Sequence, residues 1–336
     1  MSATSTVTNT LAEQGWAALP TEYRMPANRP TLAEAQAYCR RLSETHYENF
    51  HVASWFLPRR LRPHFQSIYA YCRISDDLGD EVGNREQSLA LLGEWGRELD
   101  ACYRGETRHP VFVALAETIR QCDIPKEPFA DLLVAFRQDQ TVTRYDTMED
   151  LLGYCRYSAN PVGRLVLYAC GYRDAERVAL SDLTCSALQL ANFWQDVRVD
   201  WTKDRVYIPL QHLKEAGLDE GIFGEDTRTD GDAEGRFRAL IETEASFTRE
   251  MFRQGAKLIG MVDRELAIDL DLFTRGGLEI LRAIEAQGYD VLRQRPAISK
   301  PRKAKLLLRA LAGKFLPGMR PEGTIDGRTA GRRAEG

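Results

Sequence analysis

An all-α fold is predicted for this 336-residue chain, on three observations. Apolar residues recur at three- and four-residue intervals through almost every segment between residues 30 and 293. Alternating apolar and polar runs, the mark of half-buried strands, are nearly absent. The glycine- and aspartate-rich breaks are few, and they bound segments of helical length.

In chain order, residues 1–29 are polar and rich in Pro, Ala and Thr, and are expected to be loosely ordered. The stretch PTLAEAQAYCRRLSE then opens a helix with Thr31 and Glu34 at capping-box spacing. Helical periodicity follows over 61–82, 86–103, 110–121, 127–144, 147–157, 161–170, 175–200, 234–262 and 265–293. Between the last three of these segments, LDEGIFGEDTRTDGDAEG (218–235) reads as a loop. No repeat of fixed period and no sharp boundary interrupts the pattern, so 30–297 is expected to be one all-α domain. The tail from 298 to 336 differs. Six Lys and Arg lie among leucines and alanines in SKPRKAKLLLRALAGKFLP (299–317). Two readings stand: a basic amphipathic helix on an anionic membrane surface, or a helix packed on the body. Residues 318–336 read as disordered.

Composition excludes several classes. With 43% hydrophobic and 28% charged residues the chain can bury a large core. A net charge of -4 gives no global case for nucleic acid. The seven cysteines are scattered and odd in number, which points to reduced thiols in the cytoplasm rather than a disulfide frame. No CxxC pair occurs and the five histidines do not cluster, which argues against zinc. The N-terminus has neither the basic nor the apolar part of a signal peptide, and no apolar run reaches the roughly 18 residues of a membrane span. No strand followed by G-x-G-x-x-G occurs, which is only a weak argument against a nicotinamide donor and leaves its use open.

The chemistry-bearing residues lie on two of these helices. At about 100° per residue, Tyr69, Arg73, Asp76 and Asp80 fall within about 60° of one another. Apolar residues cover much of the remaining circumference, with Asp77 and Glu81 on an adjacent strip. In LTCSALQLANFWQDVRVDW (183–201), Gln189, Asn192, Asp196 and Asp200 form a stripe of the same type. Burying ionised carboxylates without partners is very costly, and Arg73 can satisfy only part of the set. Oxygen donors without His or Cys suit Mg2+, which keeps waters and shares a substrate phosphate. The alternative for each motif taken alone is a solvated acidic face.

These residues resemble a known family. DDLGD (76–80) followed by NFWQDVRVD (192–200) is similar to the paired aspartate-rich motifs of the squalene/phytoene synthases. SIYAYCR before the first motif, YCRYSANPVG (154–163) between them and DRVYIP (204–209) after the second add to the likeness, which runs over about residues 40–290. HYENFHVASWFLPRRLRPHF (46–65), YCRYSANPVGRLVLYACGY (154–172) and NFWQDVRVDWTKDRVYIP (192–209) look most like the hydroxysqualene synthase branch of hopanoid-producing bacteria. The resemblance implies an isoprenoid synthase-type helical bundle around a central apolar cavity. It implies a reaction in which presqualene diphosphate is ionised, rearranged and quenched by water to hydroxysqualene, on the route to squalene and hopanoids. Mg2+ would be held by Asp76, Asp80, Asn192, Asp196 and Asp200. Arg73 and Arg205 would meet the diphosphate, with a hydroxyl from Tyr207, and Tyr69 and Tyr154 would face a passing carbocation. Asn49, Phe50, Ala159, Asn160, Gly163 and Gln189 would contact the substrate. Neighbouring enzymes of the squalene route would be partners, and the work would be done at the inner face of the membrane.

The chain departs from the condensing members in two places. Tyr47-Glu48-Asn49-Phe50 stands where they carry Ser-x-Ser-Phe, and Ser158-Ala159-Asn160-Pro161-Val162-Gly163 where they carry Val-Ala-Gly-Thr-Val-Gly. This favours the second half-reaction over the joining of two prenyl diphosphates, and YENF and SANP are the expected places for groups that position water. Two alternatives remain: a condensing squalene, presqualene diphosphate or phytoene synthase, and a non-catalytic helical scaffold descended from one.

Overall fold

The computed structural model describes residues 12–45, 58–224 and 231–315, together with 321 and 323. Its α-helices are α1 (Leu32–Thr45), α2 (Arg62–Asp80), α3 (Arg85–Tyr103), α4 (Pro110–Cys122), α5 (Glu127–Gln138), α6 (Met148–Ser158), α7 (Asn160–Ala169), α8 (Ala175–Thr202), α9 (Leu210–Glu215), α10 (Gly231–Gly255), α11 (Arg264–Ala286) and α12 (Lys300–Phe315). No strand occurs among the described residues. The all-α expectation holds, and the periodic segments coincide closely with the helices.

The differences have local causes. The helix expected over 127–144 stops at Gln138, because 143–146 runs beside the 206–211 segment: Val206 N–H donates to the Thr143 carbonyl (2.9 Å) and Leu210 N–H to the Tyr145 carbonyl (3.0 Å). The segment 265–293 ends as a helix at Ala286, where Gly288 and Tyr289 turn into the left-handed region with φ of 60° each. The helix expected over 234–262 tightens to a 3-10 turn at Ala256–Met261. Residues 12–18 are helical, and Ala12, Leu19 and Tyr23 are buried, so from residue 12 the stretch expected to be loose is docked instead. The disorder expected for 318–336 falls almost wholly outside the described residues.

The chain divides into two compact units: Met1–Val142 with Pro161–Arg173, and Thr143–Asn160 with Asp174–Gly336. In the first, α2 packs against α1, α3, α4 and α5. The Thr31–Glu34 capping box forms in the structure, with Glu34 N–H donating to the Thr31 hydroxyl at 3.3 Å and Thr31 N–H to the Glu34 carboxylate at 2.8 Å. The core is aromatic. Tyr71 stacks on Trp95 at 6.2 Å, Trp95 meets Phe112 at 4.5 Å, and the Tyr71 hydroxyl donates to the Phe129 carbonyl at 2.9 Å. His109 caps α4 from this core, where burial pulls its imidazole down to about 4 and keeps it neutral.

In the second unit, α8 packs against α10, α11 and α6. Gly255 lets α10 approach α8: a Cβ there would run into the Thr184 hydroxyl and lie 3.0 Å from the Leu180 carbonyl. Trp194 is buried on α8, and its indole N–H donates to the Thr248 hydroxyl at 2.8 Å.

Candidate active site

On α2 the acids divide by burial. Asp77 is 4% exposed and accepts from the Arg73 Nε (3.0 Å) and NH2 (2.5 Å) and from the Tyr23 hydroxyl (2.7 Å). The carboxylate placed on a side strip by periodicity is therefore the one inside the fold, fully hydrogen-bonded and holding residue 23 against α2. Burial and the facing Asp77 carboxylate together push the Tyr23 phenol well above its usual range. Arg73 is correspondingly committed to Asp77, with a longer 3.8 Å contact to Asp76, so it does not stand as a cation kept for substrate alone. Asp76 keeps half of its side-chain surface accessible and Asp80 is exposed. Tyr69 is buried on the same helix.

On α8 the stripe of Gln189, Asn192, Asp196 and Asp200 is the accessible side of a helix whose other faces bury Leu190, Ala191, Phe193, Trp194 and Val197. Asn192 is exposed and the other three are half-buried. Asp196 is forked by Arg295, with one contact at 3.0 Å. Among the described residues no arginine forks Asp200, one turn on. Burial first and the neighbouring Asp196 second push its carboxyl up to about 7, against the pull of Arg205, Lys203 and Arg295. Two carboxylates one turn apart thus share too little positive charge.

After α8 the chain is held in place by Arg144, which donates to Asp204 (2.8 Å) and Glu220 (2.9 Å) and lies over Trp201. Asp204 sits in the left-handed region (φ 57°), and the turn returns the Arg205 N–H to the Asp200 carbonyl at 2.9 Å. Tyr207 is thereby stacked on Phe193, centroids 3.8 Å apart and planes 9° from parallel. Tyr145 lies 5.9 Å from Tyr207 and 5.4 Å from Tyr154. A cavity of about 10 Å³, roughly the room of one water, is bordered by Phe193, Asp200, Arg205 and Tyr207.

At the 158–163 turn, Ala159 follows α6 as its C-cap, and Gly163 is half-buried on α7. Asn160 is buried, and its side-chain oxygen accepts from the Ser186 hydroxyl at 2.9 Å, a contact that ties the turn to α8. The Ser158 hydroxyl is buried with no hydrogen-bond partner among the described residues. Asn49 and Phe50 lie outside the described residues.

The second unit therefore brings together Tyr154, Arg205, Tyr207 and the α8 stripe, and the first brings together Tyr69, Arg73, Asp76 and Asp80. Sequence reading missed Tyr145, Phe193 and Arg295, while Ser158 is the first residue of the SANP stretch where it expected water-positioning groups. The four-residue spacing of Arg73 and Asp77 was a legible signal for their pair. Nothing in the sequence points from Asp196 to Arg295, 99 positions away.

Among the described residues no three His, Cys, Asp or Glu side chains gather in a way that could hold a metal ion. Each stripe supplies two carboxylates, and the α8 stripe adds an amide. That donor chemistry, all oxygen, fits a hard divalent cation that keeps waters, and the undercompensated Asp196–Asp200 pair fits the gain of positive charge.

An all-helical chain with two such aspartate rows matches one family model, Squalene/phytoene synthase, over residues 43–302. The chain belongs to the squalene/phytoene synthase family of enzymes. It is similar to the crystal structure of squalene synthase HpnC from Alicyclobacillus acidocaldarius, at 43% identity and a TM-score of 0.72, covering 82% of this chain and 98% of that one. It is 32% identical to a phytoene synthase of Thermus thermophilus, over 84% of this chain and 94% of the relative. A hydroxysqualene synthase of Zymomonas mobilis is 30% identical, over 80% of this chain and 88% of the relative.

Proposed function

We propose that this protein converts presqualene diphosphate to hydroxysqualene with Mg2+. The observation that carries the reading is the α8 row, where Arg295 forks Asp196 while half-buried Asp200, one turn on, borders a small cavity with Arg205 and Tyr207. The likeness to a hydroxysqualene synthase and to squalene synthase HpnC supports the choice of substrate. The C–O bond to diphosphate breaks with the electron pair leaving on oxygen. The cyclopropylcarbinyl cation rearranges, water adds through its oxygen, and one proton is released. Asp76 and Asp80 on α2, and Asn192, Asp196 and Asp200 on α8, are the oxygen donors that would hold Mg2+, which would supply Lewis acidity toward diphosphate when bound.

The chain's own groups do the rest. Arg205 adds a guanidinium beside Asp200. The faces of Tyr154, Tyr207 and Phe193 offer cation–π stabilisation, worth about 0.5–2 kcal/mol per ring. The unpartnered Ser158 hydroxyl and the water-sized cavity beside Asp200 are groups suited to placing the quenching water. Incubation with presqualene diphosphate and Mg2+, without any nicotinamide, is expected to give hydroxysqualene by mass spectrometry. Recovery of unreacted substrate would overturn the reading.

A second reading, the joining of two prenyl diphosphates, is favoured by the phytoene synthase relative. Under it, farnesyl or geranylgeranyl diphosphate alone would be consumed to a longer product.

A further inference from the structure

The C-terminal helix α12 is fastened to α11 by its arginines. Arg302 meets Glu279 at 3.0 Å, Arg309 meets Asp271 at 3.0 Å, and Arg264 of α11 donates to the Gly313 carbonyl at 2.6 Å. Ala310 and Gly313 are buried beneath it. So far this is a packed helix, one of the two arrangements its sequence allowed.

Its opposite face is not what a packed surface helix needs. Leu307 is 41% and Leu308 65% exposed, and Ala304 is exposed beside them. At about 100° per residue these three form one outward strip, and half-buried Leu311 continues it toward the C-terminus. Lys303 borders the strip on one side and Lys305 on the other, with Lys300 at its N-terminal end. None of these three ammoniums has a carboxylate partner among the described residues, and α12 contains no acidic residue. Below Lys305, a groove of about 410 Å³ between α11 and α12 adds Arg275, Arg282, Arg302 and Arg309, set against Glu279 and the nearby Asp271. Arginine, with its planar fork, makes the structural pairs, while the lysines and leucines face outward.

We propose that the outer face of α12 is a docking surface for an anionic lipid bilayer. Leu307 and Leu308 enter the headgroup–acyl boundary, and Lys300, Lys303 and Lys305 meet the lipid phosphates. Charge complementarity selects this occupant. A second copy of a chain with net charge -4 offers no matching acidic apolar face at α12, and a nucleic acid would leave the two leucines in water. The attachment goes beyond the reaction and does not depend on it, since lipid binding is read without substrate.

The test is sedimentation of the full chain with vesicles of phosphatidylcholine alone or with about 30% phosphatidylglycerol, near 0.1 M salt. Three lysines, each contributing as a juxtamembrane cation, are expected to raise partitioning onto the anionic vesicles about 100-fold. The double variant L307E/L308E should lose at least about tenfold of that binding while its far-UV circular dichroism and unfolding midpoint stay unchanged. K300E/K303E/K305E should abolish the preference for anionic lipid. Equal binding to both vesicle types, no binding, or undiminished binding by L307E/L308E would overturn the proposal. So would a concentration-dependent dimer that the leucine variant dissolves, or duplex DNA bound as tightly as vesicles and unaffected by it.

Discussion

The acid-bearing helices α2 and α8 present similar rows of residues in different electrostatic conditions. On α2 the deepest acid, Asp77, is matched by Arg73 and Tyr23, and the acids left over, Asp76 and Asp80, reach outward. On α8 the charge is unbalanced within the row: Arg295 serves Asp196, and Asp200 is left half-buried with its carboxyl pushed up to about 7. One row of aspartates is a structural clamp plus two accessible carboxylates, and the other carries a deficit of positive charge. An acid that the fold satisfies holds the fold together. An acid that the fold leaves short is available to something that arrives later.

Substitutions at four acids probe this contrast, the largest effect first. Asp200→Ala is expected to lower turnover by about two to three orders of magnitude, through loss of charge stabilisation at the leaving group. Asp200→Asn should do nearly the same while raising the unfolding midpoint in metal-free buffer at pH 8, because the buried like-charge pair is gone. A fall in both activity and stability would break the contrast, since Asp200 would then be a structural group like Asp77.

Asp77→Asn is expected to destabilise the protein by about 3 kcal/mol, because Arg73 and Tyr23 lose a buried partner. Asp80→Asn, at an exposed position, should change stability by less than about 0.5 kcal/mol while lowering activity. Denaturant unfolding of the two variants side by side decides between these outcomes.

The smallest expected effect on turnover belongs to a fourth acid, which lies in neither row. Asp269 on α11 is 3% exposed, and neither carboxylate oxygen has a hydrogen-bond partner among the described residues. Burial pushes its carboxyl up to about 8, with Lys314 of α12 opposing and Asp263 adding to the shift. Its proton is held more tightly folded than unfolded, so its contribution is fully present at pH below about 4 and is lost as pH rises toward about 8. Asp269→Asn should flatten that part of the stability–pH curve and leave the protein more stable than wild type above pH 8. Chemical denaturation at pH 5 and pH 8.5 measures the difference, and an unchanged slope would refute it.

Much of this was legible in the sequence, for physical reasons that also mark where legibility ended. Helical periodicity and the Thr31–Glu34 spacing are local, and the helices follow them to within a few residues over most of the chain. The two aspartate rows were visible because a helix places i, i+4 and i+7 on one side whatever surrounds it. Which acid of DDLGDE goes inside was not visible, because it depends on Tyr23, a residue from a stretch read as loose. The stacking of Tyr207 on Phe193 and its approach to Tyr145 depend on backbone pairing between 143–146 and 206–211, which carries no periodic signal. Arg295 acts through a partner 99 positions away, and the burial of the Ser158 hydroxyl depends on tertiary packing. The outward leucines of α12 were present in the composition, but only the packing of Ala310 and Gly313 shows which of its two apolar sides is left over.

The most direct measurement is the unfolding midpoint of wild type and Asp200→Asn in inorganic pyrophosphate, with and without Mg2+. If Asp196 and Asp200 lack positive charge that a metal-bound diphosphate supplies, pyrophosphate raises the wild-type midpoint only when Mg2+ is present, and the rise is lost in Asp200→Asn. An equal rise without Mg2+, or one that survives the substitution, would contradict the role assigned to the α8 row.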